Sequence, residues 1–404
     1  MDDTTGDTAH CRPATRCDTG YLRAPDMEVH RVLPTAPYAA IEDYIADGGG
    51  VGLTTATELD PADVIEIVAA SGLRGRGGAG FPTGTKWRSV ADAGQEAGTV
   101  HLVCNAAEGE PATFKDRALM VHNPYAIIEG MAIAMHAVGI ERGYVGVKER
   151  FADEVDRLIA ARDAAAAAGW PRATEIRIVP GPDEYLFGEE SAMLEVVEGK
   201  LPLPRILPPY QTGLFATMSE PNPTVVNNVE TLSHVAHILR EGADWFRGVG
   251  TTEAPGTMVF TVVGDVARPG IYELPLGTPM RTLLVDLAGA ADIQAIYPGT
   301  SNSVLTPDLL DLPLDFDSFG EAGTGLGSGG FAVYDTTRDI VQVCAVLARF
   351  LAIESCGQCL ACKLGTADIF ERLDALVRGE GTASDLAEIR RRTETVTDQN
   401  RCYL

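Results

Sequence analysis

The chain has 404 residues and a formal net charge of −25, from 57 acidic against 32 basic residues. That length predicts about two to four domains, and the acidity disfavours nucleic acid and anionic lipid as partners. No apolar run of about 18 residues offers a membrane span. The polar, acidic start Met1-Asp2-Asp3-Thr4-Thr5-Gly6 is not a secretory signal, so the chain is read as cytoplasmic, with any membrane association peripheral and through partners. In that reducing compartment its eight cysteines argue for metal ligation or burial rather than disulfides.

Residues 1–45 are polar and broken by Pro13, Pro25, Pro34 and Pro37, which predicts a flexible or wrapping extension carrying the plain thiols Cys11 and Cys17. Asp60-Pro61 opens a helix with Asp60 as N-cap. A glycine-rich turn at 72–84 follows. Strands are expected at 100–104, 143–147 and 175–179, and helices at 124–138 and 151–169. Strands and helices alternating at these lengths mean an α/β layer with parallel strands over 46–250. Residues 251–332 change character: strands at 258–263 and 271–274, a helical stretch at 279–287, then a loose linker through Gly323, Gly325, Gly327, Gly329 and Gly330. From 333 to 404 the pattern is helical. Ile340, Val341, Cys344, Leu347, Phe350 and Leu351 recur at three- and four-residue steps, which makes Cys344 a core thiol. Further helices are expected at 366–378 and 383–397.

Within that helical part, Glu354-Ser-Cys356-Gly-Gln-Cys359-Leu-Ala-Cys362-Lys places three thiols at two-residue intervals, and Cys402 follows after 39 residues. Three such cysteines cannot all pair with one another. Four thiolates suit a [4Fe–4S] cluster. A structural zinc is the alternative, although zinc sites more often use two separated C-x-x-C pairs.

Ser71-Gly72-Leu73-Arg74-Gly75-Arg76-Gly77-Gly78-Ala79-Gly80-Phe81-Pro82-Thr83-Gly84-Thr85-Lys86-Trp87 is the second strong signal. Glycines let backbone N–H groups approach a phosphate, and Lys86, Arg74 and Arg76 add cations suited to one. An unliganded surface loop is the competing reading. Asn105-Ala-Ala-Glu108-Gly109-Glu110-Pro111 follows a strand end, where α/β sheets place ligands. Gly188-Glu189-Glu190-Ser191 opens a helix, and its carboxylates either cap that helix or meet ligand hydroxyls. Asn227-Asn228 offers amides that both donate and accept.

In order, the chain shows G-R-G-G-A-G-F-P-T-G-x-K-W, C-N-A-x-E-x-E-P-x-x-F-K-D-R, G-E-E-S-A-M, P-T-x-x-N-N-V-E-T-L and E-S-C-G-x-C-x-x-C with a distant cysteine. From about residue 50 onward it resembles the NADH-binding flavoprotein subunit of respiratory complex I and the homologous diaphorase subunits of NAD-coupled hydrogenases and formate dehydrogenases. The resemblance implies a Rossmann-like FMN domain, a small β-grasp module and a C-terminal helical bundle carrying a [4Fe–4S] cluster. It further implies that FMN takes a hydride from NADH, or gives one to NAD+, and exchanges single electrons with the cluster. Carried over by position, Gly75, Arg76, Gly77, Lys86, Asn105, Glu108, Gly188, Asn227 and Asn228 contact FMN. Phe81 lies on the nicotinamide side with Glu110 and Glu190, the two residues assigned to catalysis. Cys356, Cys359, Cys362 and Cys402 hold the cluster. The implied partners are a thioredoxin-like [2Fe–2S] subunit and further iron–sulfur or catalytic subunits.

Departures from the family pattern fall mainly on the nucleotide side. Ala107 stands where an acid is usual, Asp183 replaces a glycine, Phe187 replaces a cysteine, and Ser89 and Leu207 replace an aromatic and a lysine. Three readings follow: an NADH-oxidising subunit, an FMN/[4Fe–4S] relay with a degenerate or replaced NAD site, and a structural subunit without flavin. Lys86, Asn105 and Asn227-Asn228 argue against the third.

Overall fold

The computed structural model describes residues 30–300 and 302–402. Cys11 and Cys17 lie outside them. Two sheets organise the chain. The first holds β1 (His101–Ala106), β2 (Arg142–Lys148), β3 (Ile176–Gly181) and β4 (Thr224–Asn228) in the order β3-β2-β1-β4. All of its pairings are parallel. β1, β2 and β4 are buried on both faces, as strands of a helix-covered parallel sheet are, while the edge strand β3 is partly exposed, with Arg177 and Pro180 facing solvent.

Helix Pro124–Val138 spans the residues expected of it, and all but His136 are buried. It crosses helix Val229–Glu241 so closely that a Cβ on Gly130 would meet the Leu232 carbonyl oxygen at 2.0 Å, so glycine is needed for the contact. Glu129 of the same helix is buried. Its carboxylate accepts from Tyr44 Oη at 2.7 Å, Gly50 N at 2.8 Å and Leu53 N at 3.0 Å, which fastens the preceding helices onto the core. Helix Pro61–Ala70 starts after Asp60 as expected, but the Asp60 side chain makes no capping bond.

The second sheet holds β5 (Thr257–Gly264), β6 (Gly270–Pro275), β7 (Ile293–Tyr297) and β8 (Gly330–Asp335) in the order β6-β5-β8-β7, with β5 and β8 parallel and the outer pairs antiparallel. This is the β-grasp arrangement. The glycine run at 323–330 is therefore not a linker: it leads into a central strand. Phe331 and Val333 on that strand are fully buried. The division expected at 332 cuts β8, and the helical part begins after Asp335. The expected helix after Pro279 is a short π-helical stretch, Thr282–Leu287.

Helices Ile340–Glu354, Leu360–Val377 and Ala383–Thr395 complete the chain. The second starts at Leu360 rather than 366 and so includes Cys362. Cys344 is only partly buried, and its Sγ lies 3.1 Å from the Tyr297 hydroxyl. It is an inter-module contact rather than a core thiol, because its helix faces the edge strand β7. No helix among the described residues is long and apolar enough to cross a membrane.

Residues 31–45 wrap the molecule. The N–H groups of Arg31, Val32 and Leu33 all donate to the buried Glu273 carboxylate on β6, and the Arg31 guanidinium stacks 3.5 Å over Trp245.

Candidate flavin and iron–sulfur site

Parallel pairing puts Asn105 beside Asn228, and Cys104 beside Asn227, at the carboxyl ends of β1 and β4. A cavity of about 620 Å³ opens there, a volume suited to a cofactor-sized ligand. Every residue assigned by position to FMN or nicotinamide lines it except Arg76: Gly75, Gly77, Phe81, Lys86, Asn105, Glu108, Glu110, Gly188, Glu190, Asn227 and Asn228. Pro298, Gly299, Asn302, Gly325, Gly327 and Ser328 close the cavity from the β-grasp side.

The glycine loop is held from outside the cavity. Gly80 has φ +61°, and a Cβ there would meet the Phe316 ring at 2.7 Å, so the position needs glycine on both counts. Arg74 lies over that ring at 4.9 Å and pairs with Asp317 at 2.7 Å. Arg76 corrects the expected assignment. Its side chain is fully buried and points away from the cavity. It donates to the carbonyls of Arg74 at 3.0 Å, Thr257 at 3.1 Å and Pro255 at 3.2 Å. Arg76 thus joins the loop to β5, and burial pulls its guanidinium down to about 10, against the field of Glu230.

Lys86, in the first turn of helix Thr83–Ala97, donates to Glu190 Oε1 at 2.8 Å and the Val226 carbonyl at 3.0 Å. Asn105 Nδ2 donates to the Gly188 carbonyl at 2.7 Å, and Asn227 Oδ1 accepts from Trp87 Nε1 at 2.8 Å. Glu189, not Glu190, is the helix cap: its carboxylate accepts from Ser191 N and Ala192 N. Glu108 lines the cavity, but its carboxylate is occupied by Asp116 N, Arg117 N and Arg117 Nε. Glu110 is gripped from two modules. Tyr185 Oη donates to its Oε2 at 2.6 Å, and Thr300 N and Oγ1 donate to its Oε1 at 2.6 and 3.0 Å. Ala112, two residues on, has φ +69°. Its carbonyl accepts from Thr261 Oγ1 at 2.9 Å, a contact that holds a strained residue in place.

Behind the cavity lies a charge network that the sequence motifs do not mark as a site. Lys115 Nζ, fully buried, sits 2.8 Å from both Asp116 and Glu230. Asn228 Nδ2 donates to Asp116 Oδ2 at 2.6 Å. Burial favours the neutral amine, but the two carboxylates outweigh it and keep Lys115 protonated. Burial raises Asp116 to about 6 against Lys115. Glu230, equally buried, is nevertheless brought down to about 2 by Lys115 and His234. The K-D-R of the second motif is the available signal, but nothing local to it reveals Glu230, more than a hundred residues away.

Of the four expected cluster ligands, Cys362 is buried, Cys359 and Cys402 are partly buried and Cys356 is exposed. Gln358 Nε2 donates to Cys356 Sγ at 3.6 Å, and Cys362 Sγ lies 3.1 Å from Ser355 Oγ. Cys402 reaches the cavity wall, where it contributes to the field at Tyr185. The Glu354 carboxylate, just before the triplet, accepts from Tyr185 N at 2.9 Å. Among the described residues no three His, Cys, Asp or Glu side chains converge as a grip for a single metal ion.

A cavity at the switch side of a parallel sheet, walled by a glycine loop and adjoining a four-cysteine segment, defines a flavoprotein of the electron-input type. Comparison with known proteins agrees. The Nuo51 FMN-binding domain matches residues 68–237, an SLBB domain 259–296, and the NADH-ubiquinone oxidoreductase-F iron–sulfur binding region 342–404. An NADH-quinone oxidoreductase subunit of Rhizobium meliloti (strain 1021) is 39% identical over 86% of this chain and 85% of its own. NADP-reducing hydrogenase subunit HndC of Solidesulfovibrio fructosivorans is 36% identical over 90% of this chain and 76% of its own. A chain of the NAD+-reducing [NiFe]-hydrogenase in the H2-reduced state superposes with a TM-score of 0.80 at 36% identity, covering 91% of this chain. This protein spans 63% of that chain's length. The chain belongs to the Nuo51 family of NADH-quinone oxidoreductase subunits, whose members carry FMN and a [4Fe–4S] centre and work within multi-subunit complexes.

Proposed function

We propose that this chain oxidises NADH, or reduces NAD+, as the electron-input subunit of a larger redox complex. The observation that carries this reading is the single cavity wall shared by the glycine loop, Lys86, the asparagines at the ends of β1 and β4, and Glu110. FMN bound there supplies two-electron to one-electron conversion, and the cluster supplies the single-electron exit.

The residues present fit these groups. Backbone N–H groups of residues 77–80 and the Lys86 ammonium suit a phosphate, and the Asn105, Asn227 and Asn228 amides suit ring and hydroxyl edges. Phe81, half exposed at the rim, and Glu110 and Glu190 face the nucleotide. Glu110, held at both oxygens, offers a fixed acceptor for a carboxamide or ribose hydroxyl, so orientation rather than acid–base chemistry is its contribution. Cys356, Cys359, Cys362 and Cys402 offer the four thiolates a cluster takes. A thioredoxin-like [2Fe–2S] subunit and further iron–sulfur partners would be the acceptors of those electrons. The complex is cytoplasmic and reaches the membrane, where it does so, through those partners.

The test is anaerobic mixing of the FMN- and cluster-replete chain with NADH, following flavin and cluster absorbance. Fast bleaching is expected. No bleaching by NADH or NADPH in protein that dithionite still reduces would overturn the proposal in favour of a relay that takes electrons from another donor.

A further inference from the structure

The segment carrying Cys402 is held by side-chain contacts rather than by regular structure. After helix Ala383–Thr395 the chain continues through turns, so no backbone ladder fixes residue 402. Closing a long loop onto the cysteine triplet carries an entropic cost, and something must hold the arm in place.

One carbonyl contributes directly. Pro204 is buried in the loop after helix Glu190–Val197, and its oxygen accepts from Gln358 Nε2 at 3.0 Å and from Arg401 Nη1 at 3.4 Å. Arg401 Nη1 also donates to Gln358 Oε1. Gln358 lies between Cys356 and Cys359, and Arg401 immediately precedes Cys402. The anchor is itself rigid. The next residue, Arg205, pairs with Glu195 and Glu198 and donates to the Gly213 carbonyl at 2.8 Å. A single fixed acceptor therefore aligns both cysteine-bearing segments on the flavin-side module.

We propose that Pro204, Gln358 and Arg401 form a latch that ties the arm carrying Cys402 to the turn carrying Cys356 and Cys359, so that Gln358 and Arg401 are positioning residues for the four-thiol set. This rests on the reading that those thiols hold the iron–sulfur cluster. Partners that orient ligands without touching the metal control its retention. Gln358 is only partly buried and Arg401 is exposed, so their loss acts on the arm rather than on the core.

The test uses the full chain reconstituted anaerobically with iron, sulfide and FMN, then exposed to a ferrous chelator while iron release and cluster absorbance are followed. Arg401→Ala releases iron roughly ten- to a hundredfold faster than the unmodified chain, the scale set by losing an orienting partner. Gln358→Ala does the same, and the double variant is no faster than the quicker single one, because the two share one latch. Arg401→Lys, which keeps a donor, falls between. Thermal midpoints of the apo chains stay together. Release at the unmodified rate from both alanine variants would overturn the latch. Should Arg401→Ala not fold, Gln358→Ala decides alone. If the unmodified chain takes up no four-iron cluster, the underlying cluster reading fails instead, a result distinct from equal release rates.

Discussion

Glu110 shows how one carboxylate can be positioned from three parts of a chain. Its Oε1 is held by Thr300 of the β-grasp module and its Oε2 by Tyr185, whose own N–H is held by Glu354 of the cysteine-bearing helix. Burial, reinforced by the Glu110 charge, pushes the Tyr185 phenol well above its ordinary range, so it remains a donor throughout the working pH. Tyr185→Phe keeps the ring, which packs edge-on against Phe350 at 5.2 Å, and removes the hydroxyl with its bond to Glu110 and its contact with Thr300. A charge-assisted hydrogen bond of this kind contributes about 1.5–3 kcal/mol. The variant is expected to raise the KM for NADH by roughly tenfold, about 1.4 kcal/mol, with kcat little changed and with FMN and iron contents intact. Steady-state kinetics on the replete chain check this. A fall in kcat at constant KM would show that Glu110 acts in the transition state alone and is not a nucleotide-orienting group.

At the scale of elements, the legible parts were those whose signal is local. Helix Pro124–Val138 and the parallel strands β1 to β3 follow from apolar runs and their spacing, and the glycine loop from its own composition. What failed depended on distant packing. Strand β8 begins in a glycine run, and glycine density reads as a turn until Phe331 and Val333 are known to pair with β5 and β7. Cys344 matched a helical apolar stripe, yet that stripe meets an edge strand rather than a core. Helix Val229–Glu241 carries a further property that sequence pattern does not reveal. His234 and His237 are both buried in it; burial, chiefly, brings them down to about 4 and about 3. The unfolded chain binds their protons below its ordinary histidine pKa near 6.5, and the folded chain does not until far lower, so these groups make stability fall as pH drops from about 6.5 towards 4. Glu273, raised to about 7 by burial, acts in the opposite direction: it favours the folded state at low pH and loses that contribution as pH rises towards 7. The histidine contribution is therefore read as a difference between variants. His237→Gln should flatten the dependence of unfolding free energy on pH by up to about 1.4 kcal/mol per unit between pH 4.5 and 6. Urea titrations of the apo chain at several pH values measure it, and parallel curves for the two proteins would refute it.

Across the whole molecule, the site exists only because two sheets are locked together, and Arg76 lies at that joint. Its place in a glycine-rich, phosphate-binding type of motif made it a ligand candidate, since nothing in the motif distinguishes an arginine that turns into the cavity from one that turns away. The structure turns it away. The guanidinium satisfies the carbonyls of Arg74, Pro255 and Thr257, while its backbone N–H donates to Thr231 Oγ1 at 2.9 Å. Glu230, whose Oε1 accepts from Val259 N at 2.8 Å, supplies the opposing charge and a second tie across the same joint. Arg76→Ala leaves buried carbonyls without donors and Glu230 with one cation fewer, a loss of about 3–5 kcal/mol on the scale of broken buried pairs. The expected result is a large drop in the urea midpoint of the apo chain, not rescued by Arg76→Lys, because a compact ammonium cannot reach three carbonyls spread across two modules. FMN affinity should fall only as far as the folded population does. Were Arg76 instead a phosphate ligand, the apo midpoint would stay in place while FMN affinity fell and Arg76→Lys recovered part of it. The two roles thus separate in one pair of titrations, one without flavin and one with it.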